Sequence, residues 1–238
     1  MALSPAGNHV AFVGSRGGIR QVYLRTLDSL EAKPIPGTEG AQCTPFFSPD
    51  GQWLGFYVPG KLKKVSVQGG ITGTPIELSN ATGIFGATWG DDDTIIFAAP
   101  GGGLMKISAA GGAAEPITTV DSAKGETGHR YPSLLPGSKA VVFAVSTGGQ
   151  AGDSQIVAQR LDTGERRVLV QGGAYPHYVS TGHLVYVRAA RMMAVPFDVG
   201  GLEVTGAPVP LAEEDVRQSG QGAAQFGFSR FGSLVYVP

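Results

Sequence analysis

The chain has 238 residues, a formal charge of −1, 37 glycines, 16 prolines and one cysteine. That length supports one large domain with a real core, and so many glycines point to a chain rich in turns. The balanced charge excludes a basic surface for nucleic acid or anionic membrane, and a single cysteine excludes an internal disulfide framework.

Strand-like runs parted by Gly- and Pro-bearing turns fill the chain in order. The first copy opens abruptly with a strand stub, then a turn at Gly7, the runs HVAFVG and QVYLRTL, and Pro34 and Pro36. The second is the clearest: TPFFS, QWLGFYV, KLKKVSV and TPIEL, with the turn Ser48-Pro49-Asp50-Gly51 between the first two. Pro presets φ in such a turn and Gly accepts φ > 0. The third passes through Asp93 to TIIFAA, GLMKIS and Pro116, and the fourth through Ser138 to AVVFAV, QIVAQRL and RRVLV. The fifth passes through Gly182 to HLVYV, RMMAVPF, Pro208 and Pro210. A sixth has only QFGFS, the turn at Gly232 and SLVYV before the chain stops.

Three marks keep phase at intervals of about 45 residues, the length of a four-stranded repeat. The turn marks are Gly7, Gly51, Asp93, Ser138, Gly182 and Gly232. An aromatic follows each: Phe12, Phe56, Phe97, Phe143, Tyr186 and Tyr236. Pro45, Pro132 and Pro176 stand six residues ahead of their turns.

The strand after each turn is apolar on both faces, as a strand in a sheet covered on both sides must be. The next is mixed. The fourth carries Pro in four copies and Arg166 and Arg167 in the other, both of which guard an edge. Inner strand, buried strand, half-wet strand and guarded edge, repeated, predict an all-β propeller of four-stranded antiparallel blades in a single domain over 1–238. The expected blades are 1–41, 42–82, 83–126, 127–172 and 173–218, with 219–238 a partial sixth. The ring then stays open, pairs with another chain, or continues in a longer parent protein.

Propeller loops that join one blade to the next gather at one mouth. This register expects Glu39, Phe85, His129, Arg130, Tyr131, His177, Tyr178 and Gln225 there, polar and aromatic groups suited to a peptide or small ligand. The bland reading of the same set is loop packing or a wet channel. Cys43 reads as a small buried filler. His9, His129, His177 and His183 lack zinc-ligand spacing, and the carboxylates from Asp91 to Asp93 lack the spacing of a calcium loop. Neither a metal nor another cofactor is expected. GFSRFG (227–232) is only a loose match to a nucleophile elbow and coincides with a repeat turn. No export signal is visible in MALSPAGNHV, no apolar run is long enough to span a membrane, and direct membrane insertion is not expected.

At the Ser-Pro-Asp-Gly turn and the aromatic strand after it, the chain resembles the WD40-like (TolB-type, PD40) β-propeller repeats of bacteria. The segments LRTLDSLEAKPIPGTEGAQCTPFFSPDGQWLGFY, GKLKKVSVQGG, GHRYPSLLPG, LDTGERRVL and GHLVYVRAARMMAVPFDV are similar to the propeller region following the kinase domain of Acidobacteria-type serine/threonine kinases. The resemblance covers nearly the whole chain and departs from the pattern at Ala6, where Asp is usual, and at Asp93 and Ser138, where Gly is usual. It implies a six-bladed TolB-like ring and a non-enzymatic sensory or scaffolding module on the extracytoplasmic side of the inner membrane. A protein or peptide is the expected partner, with self-association through the incomplete blade as a further possibility. It supplies no catalytic residue. The alternative is a hydrolase or lyase working in the channel, with His129, Arg130 and His177 as acid/base and electrostatic groups.

Overall fold

A computed structural model describes residues 1–67, 73–148, 154–219 and 222–238. The turn after KLKKVSV and part of the connection 212–222 lie outside them. Six antiparallel sheets stand around one axis. The first blade joins β1 (Ala2–Leu3), β2 (His9–Arg16), β3 (Ile19–Thr26) and β4 (Ala32–Pro34). The second joins β5 (Gln42–Phe47), β6 (Trp53–Val58), β7 (Gly60–Ser66) and β8 (Ile76–Ala81). The third joins β9 (Ala87–Trp89), β10 (Thr94–Ala98), β11 (Leu104–Ser108) and β12 (Glu115–Pro116). The fourth joins β13 (Gly128–Leu134), β14 (Ala140–Ser146), β15 (Gln155–Arg160) and β16 (Arg166–Gln171). The fifth has β17 (Ala174–Val179), β18 (His183–Arg188) and β19 (Arg191–Asp198), then an edge split between β20 (Glu203–Val204) and β21 (Val209–Pro210). Among the described residues the sixth sector holds the hairpin β22 (Phe226–Phe228) and β23 (Leu234–Tyr236) and no further strand. The described residues thus form five four-stranded blades rather than six.

The turn register is physical. The N–H of each mark donates to the carbonyl three residues earlier: Gly7 to Ser4, Gly51 to Ser48, Asp93 to Gly90, Ser138 to Leu135, Gly182 to Val179 and Gly232 to Ser229. All six marks have positive φ, including Asp93 at 59° and Ser138 at 54°. Geometry, not glycine itself, is what repeats. In three turns a serine hydroxyl also accepts a backbone N–H beyond the turn: Ser4 from His9, Ser48 from Trp53 and Ser229 from Ser233. The edge behaves as its prolines require. Pro lacks an N–H, so β12 stops at Pro116 and the fifth edge breaks around Pro208.

Apolar side chains from successive sectors form five inter-blade cores. Ala11, Val22 and Leu24 meet Leu54 and Phe56 between blades one and two. Phe46 and Tyr57 meet Ile95 and Phe97 next, and Ile96 and Leu104 meet Val141 and Phe143 after that. Val142 and Ile156 then meet Leu184 and Tyr186. Val185 and Met192 finally meet Ala224 and Phe226 of the sixth sector. A buried side chain of this kind contributes about 1.5–3 kcal/mol each. Among the described residues no such core fills the space between the sixth sector and the first.

The ring nonetheless closes at its inner circumference. Arg230 N–H donates to the Pro5 carbonyl at 2.9 Å. Gly227 lies so near β1 that a Cβ there would sit 2.8 Å from the Leu3 nitrogen. Cys43 corrects one expectation: it is exposed. As the second residue of β5 it adopts a left-handed conformation, φ 61°, which turns its thiol out of the core to donate to the Ile84 carbonyl at 3.2 Å.

Candidate functional site

The six inner strands enclose an axial chamber of about 650 Å³. It runs from the level of Thr44, Gly86, Tyr131 and Tyr175 to the turn end of the ring at Pro49, Asp91, Ser138, Ser180 and Arg230. Left-handed residues shape its inner end. Gly86, Tyr131 and Tyr175 adopt φ 94°, 53° and 54°, and the pairing of β13 and of β17 slips by a bulge that includes its tyrosine. Non-glycine residues held there are strained and persist only where packing fixes them. Here the packing is aromatic. Tyr131 lies 5.1 Å from Tyr175, Tyr175 lies 5.1 Å from Phe226, and His177 stacks on Phe228 at 5.9 Å.

Two braces cross the bore. At the inner end the Tyr175 hydroxyl of the fifth sector approaches the Thr44 side chain of the second. At the turn end Arg230 of the sixth sector pairs with Asp91 of the third at 3.2 Å. Each joins opposite sectors. Arg230 is also held through its backbone, whose carbonyl accepts from the Ser180 hydroxyl at 2.7 Å.

Electrostatics in the chamber favour neutral groups. Burial pushes the Tyr131 phenol up to about 12, even though the Arg130 charge pulls the other way, and burial raises Tyr175. His177 keeps part of its surface open to the bore, yet its depth in the ring removes bulk water and pushes its pKa down to about 4. It is therefore neutral at pH 7 and offers a donor and an acceptor, not a charge.

The eight residues expected at one mouth are dispersed. Tyr131, His177 and Tyr178 line the chamber. Arg130 stacks over Phe85 at 4.5 Å where blades three and four meet. Glu39 is exposed and caps its own loop by accepting from the Gly37 N–H at 3.2 Å. Gln225 is half-buried between β22 and the start of the chain, its side-chain oxygen accepting from the Met1 amino group at 3.2 Å.

His129 is fully buried, away from the bore. Its Nε2 lies 3.0 Å from Glu126 Oε2 and its Nδ1 lies 2.6 Å from Thr118 Oγ1. Arg166 completes the set at 3.0 Å from the other Glu126 oxygen. The carboxylate requires a donor, which puts the proton of the neutral ring on Nε2 and leaves Nδ1 to accept from the threonine hydroxyl. Thr118 Oγ1 also accepts the Leu104 N–H at 2.7 Å, just as Thr38 accepts that of Val22 at 3.0 Å. Burial lowers the His129 pKa against the opposing pull of Glu126. Burial also works against the charged Glu126, but the Asp121 N–H, His129 and Arg166 together hold its carboxyl below the usual range. A second cleft of about 650 Å³ borders this cluster on its solvent side, lined by Asp121, Lys124 and Arg166.

Tyr175, Phe226, Phe228, Asp91 and Arg230 belong to the chamber and were not among the expected eight. The available signal was position: each falls between the start of an inner strand and the end of its turn. Among the described residues, no three His, Cys, Asp or Glu side chains come together to hold a metal ion. Among the described residues, no helix is long and apolar enough to cross a membrane.

No protein-family model matches the chain, and no curated protein sequence matches it. Solved structures do. A TolB-type protein from Agrobacterium tumefaciens superposes with a TM-score of 0.72 over 100% of this chain and 89% of that one, at 18% identity. TolB from Acinetobacter baumannii gives 0.66 at 16% identity over 90% of this chain, which spans about half, 54%, of that protein. An oligogalacturonate lyase in complex with manganese gives 0.54 at 15% identity, over 92% of this chain and 77% of that one. These likenesses establish the fold, a TolB-like propeller. They lend no support to the kinase association that the sequence resemblance implied.

Proposed function

We propose that this chain is a non-enzymatic binding module whose axial chamber receives a peptide segment or small ligand from the turn end. The observation that carries this reading is the chamber itself: ligand-sized, walled by aromatic rings, dotted with uncharged polar groups, and bearing the Arg230–Asp91 pair at its turn end. The TolB-like fold supports a binding or scaffolding role. The oligogalacturonate lyase among the structural neighbours keeps an enzyme as the competing reading. Its proposed acid/base pair is weakened by geometry, because His129 is sealed in the Glu126 network while His177 lies in the bore. Sensory coupling to a serine/threonine kinase is the finer form of the proposal. It rests on the likeness of the segments quoted above, and the coding sequence upstream tests it directly.

The test of the chamber is a plug. Ser180 is an exposed rim residue, and Ser180→Trp places an indole at the entrance; because it also loses the bond to the Arg230 carbonyl, Ser180→Ala, which loses that bond alone, is the control and should keep binding. A thermal-shift and titration screen of short peptides and small aromatic ligands should give binders to the native protein that the plugged variant loses. Binders that ignore the plug would sink the proposal. Turnover of a hydrolase or lyase substrate panel, abolished by His177→Ala, would favour the enzyme.

A further inference from the structure

The entrance of the axial chamber carries an ion pair, and that pair decides which charge the chamber admits. Among the described residues lining the bore, Asp91 and Arg230 are the only charged side chains. Their contact crosses the entrance from the third sector to the sixth, with the two side chains 62% and 58% exposed. A pair so open to water contributes little, so it separates easily.

The two partners are not equivalent. Asp91 is short and sits in a tight turn tied by two backbone bonds, Gly90 N–H to the Thr94 carbonyl and Asp93 N–H to that of Gly90. Its carboxylate stays at the entrance. Arg230 is fixed through its backbone, to Pro5 and Ser180, but its guanidinium hangs on a long flexible stem. One guanidinium nitrogen meets Asp91, and the others make no hydrogen bond among the described residues. The guanidinium is therefore the partner that leaves. The surrounding charge selects what replaces it. The six turns, each taken with the residue after it, carry the carboxylates of Asp50, Asp91, Asp92 and Asp93 against two permanent cations, Lys139 and Arg230. That field repels an anion approaching Arg230 and attracts a cation approaching Asp91.

A second, independent observation lies deeper. His177 faces the bore three residues before the rim residue Ser180, about 10 Å inside at the rise of a strand. Its imidazole touches the rings of Phe226 and Phe228 and makes no hydrogen bond among the described residues. Neutral at pH 7, it holds an unused donor and an unused acceptor where polar groups are ordinarily paired. A charged group at that depth would find no counter-ion, so a ligand's charge belongs at the rim and its uncharged part inside.

Resting on the reading of the chamber as a binding site, we propose that its ligand is an amphipathic cation. An ammonium or guanidinium head is held by Asp91 after Arg230 swings out, and an uncharged aromatic body reaches in to hydrogen-bond His177. The head belongs either to a free amine or to a Lys or Arg beside an aromatic residue in a peptide.

The experiment titrates the 238-residue protein by calorimetry with tyramine, which with its hydrogen bonds spans that depth. The comparisons are 4-ethylphenol and 3-(4-hydroxyphenyl)propanoate, which keep the phenol and carry no charge or a carboxylate in place of the ammonium. Tyramine should bind tighter than either by about tenfold or more, as a charge-assisted hydrogen bond allows. Asp91→Asn should erase that advantage and leave 4-ethylphenol unchanged. Arg230→Gln removes the competing guanidinium and should tighten tyramine by up to about fivefold, the most an exposed pair holds back. Phenethylamine, which lacks the hydroxyl, should bind the native protein about fivefold more weakly than tyramine, and His177→Phe equally well. Acetyl-Tyr-Lys-amide presents the same groups on a peptide, and the tighter of it and tyramine names the source. No binding of either cationic probe, an uncharged or anionic analogue that binds as tightly, or weaker tyramine binding in Arg230→Gln would each overturn the cationic ligand. The chamber reading is judged separately: binding of any of these probes that survives Ser180→Trp would overturn it.

Discussion

His129→Ala tests whether the buried histidine is structural. The imidazole is fully buried, 4.9 Å from the Phe143 ring, and bonded at both nitrogens. Truncation leaves a cavity beside Phe143, a loss comparable in kind to a buried aromatic deletion. It also strips the Thr118 hydroxyl of its acceptor, which costs about 1–3 kcal/mol when such a group stays unsatisfied. Glu126 keeps Arg166 and the Asp121 N–H, so it is not orphaned. The sum is about 3–5 kcal/mol. For a chain of this size that lowers Tm by about 10 °C. Urea denaturation should show a lower midpoint with unchanged slope. The sign of the pH response follows from the lowered pKa: the unfolded chain takes up a proton as pH falls below about 6.5 while the folded one resists. Native stability therefore falls with acid, and the gap between native protein and variant should narrow. A loss below about 1 kcal/mol, far under the cavity cost, would refute the network.

Three further outcomes follow from the same coordinates. His177, with its folded pKa near 4, contributes stability that is present above pH 6.5 and lost as pH falls toward 4. The loss is about 2–3 kcal/mol at pH 4, and His177→Phe should flatten that part of a stability-versus-pH curve. A Cβ on Gly103 would lie 1.9 Å from the Thr118 carbonyl oxygen, so Gly103→Ala should cost several kcal/mol, on the order of an overpacked core, or abolish soluble expression. Ser138 holds φ 54°, so Ser138→Gly should raise stability by about 0.5–1 kcal/mol in urea melts, relief of left-handed strain exceeding the entropy cost of glycine.

The sequence made the turns legible because their geometry recurs locally. Asp93 and Ser138 break the glycine pattern yet keep the left-handed φ and the same backbone hydrogen bond. Edge prolines were legible for a similar reason: a missing N–H acts wherever it stands. The chamber was not. Tyr175 meets Thr44 and Arg230 meets Asp91 only after the ring closes, and no local pattern encodes which opposed residues touch. His129 was misplaced because neighbours on a strand point to opposite faces, so His129 enters the polar core while Arg130 stacks on Phe85 at the surface between blades.

Arg230 and Asp91 stand 139 residues apart in sequence and 3.2 Å apart in space, and only a closed radial ring brings them together. Their replacement by cysteines in a Cys43→Ser background, followed by a short bis-maleimide linker, measures that closure directly. A closed ring gives an intramolecular cross-link in nearly every molecule at dilute concentration. Free thiols at both positions, or cross-links only between molecules, would contradict it.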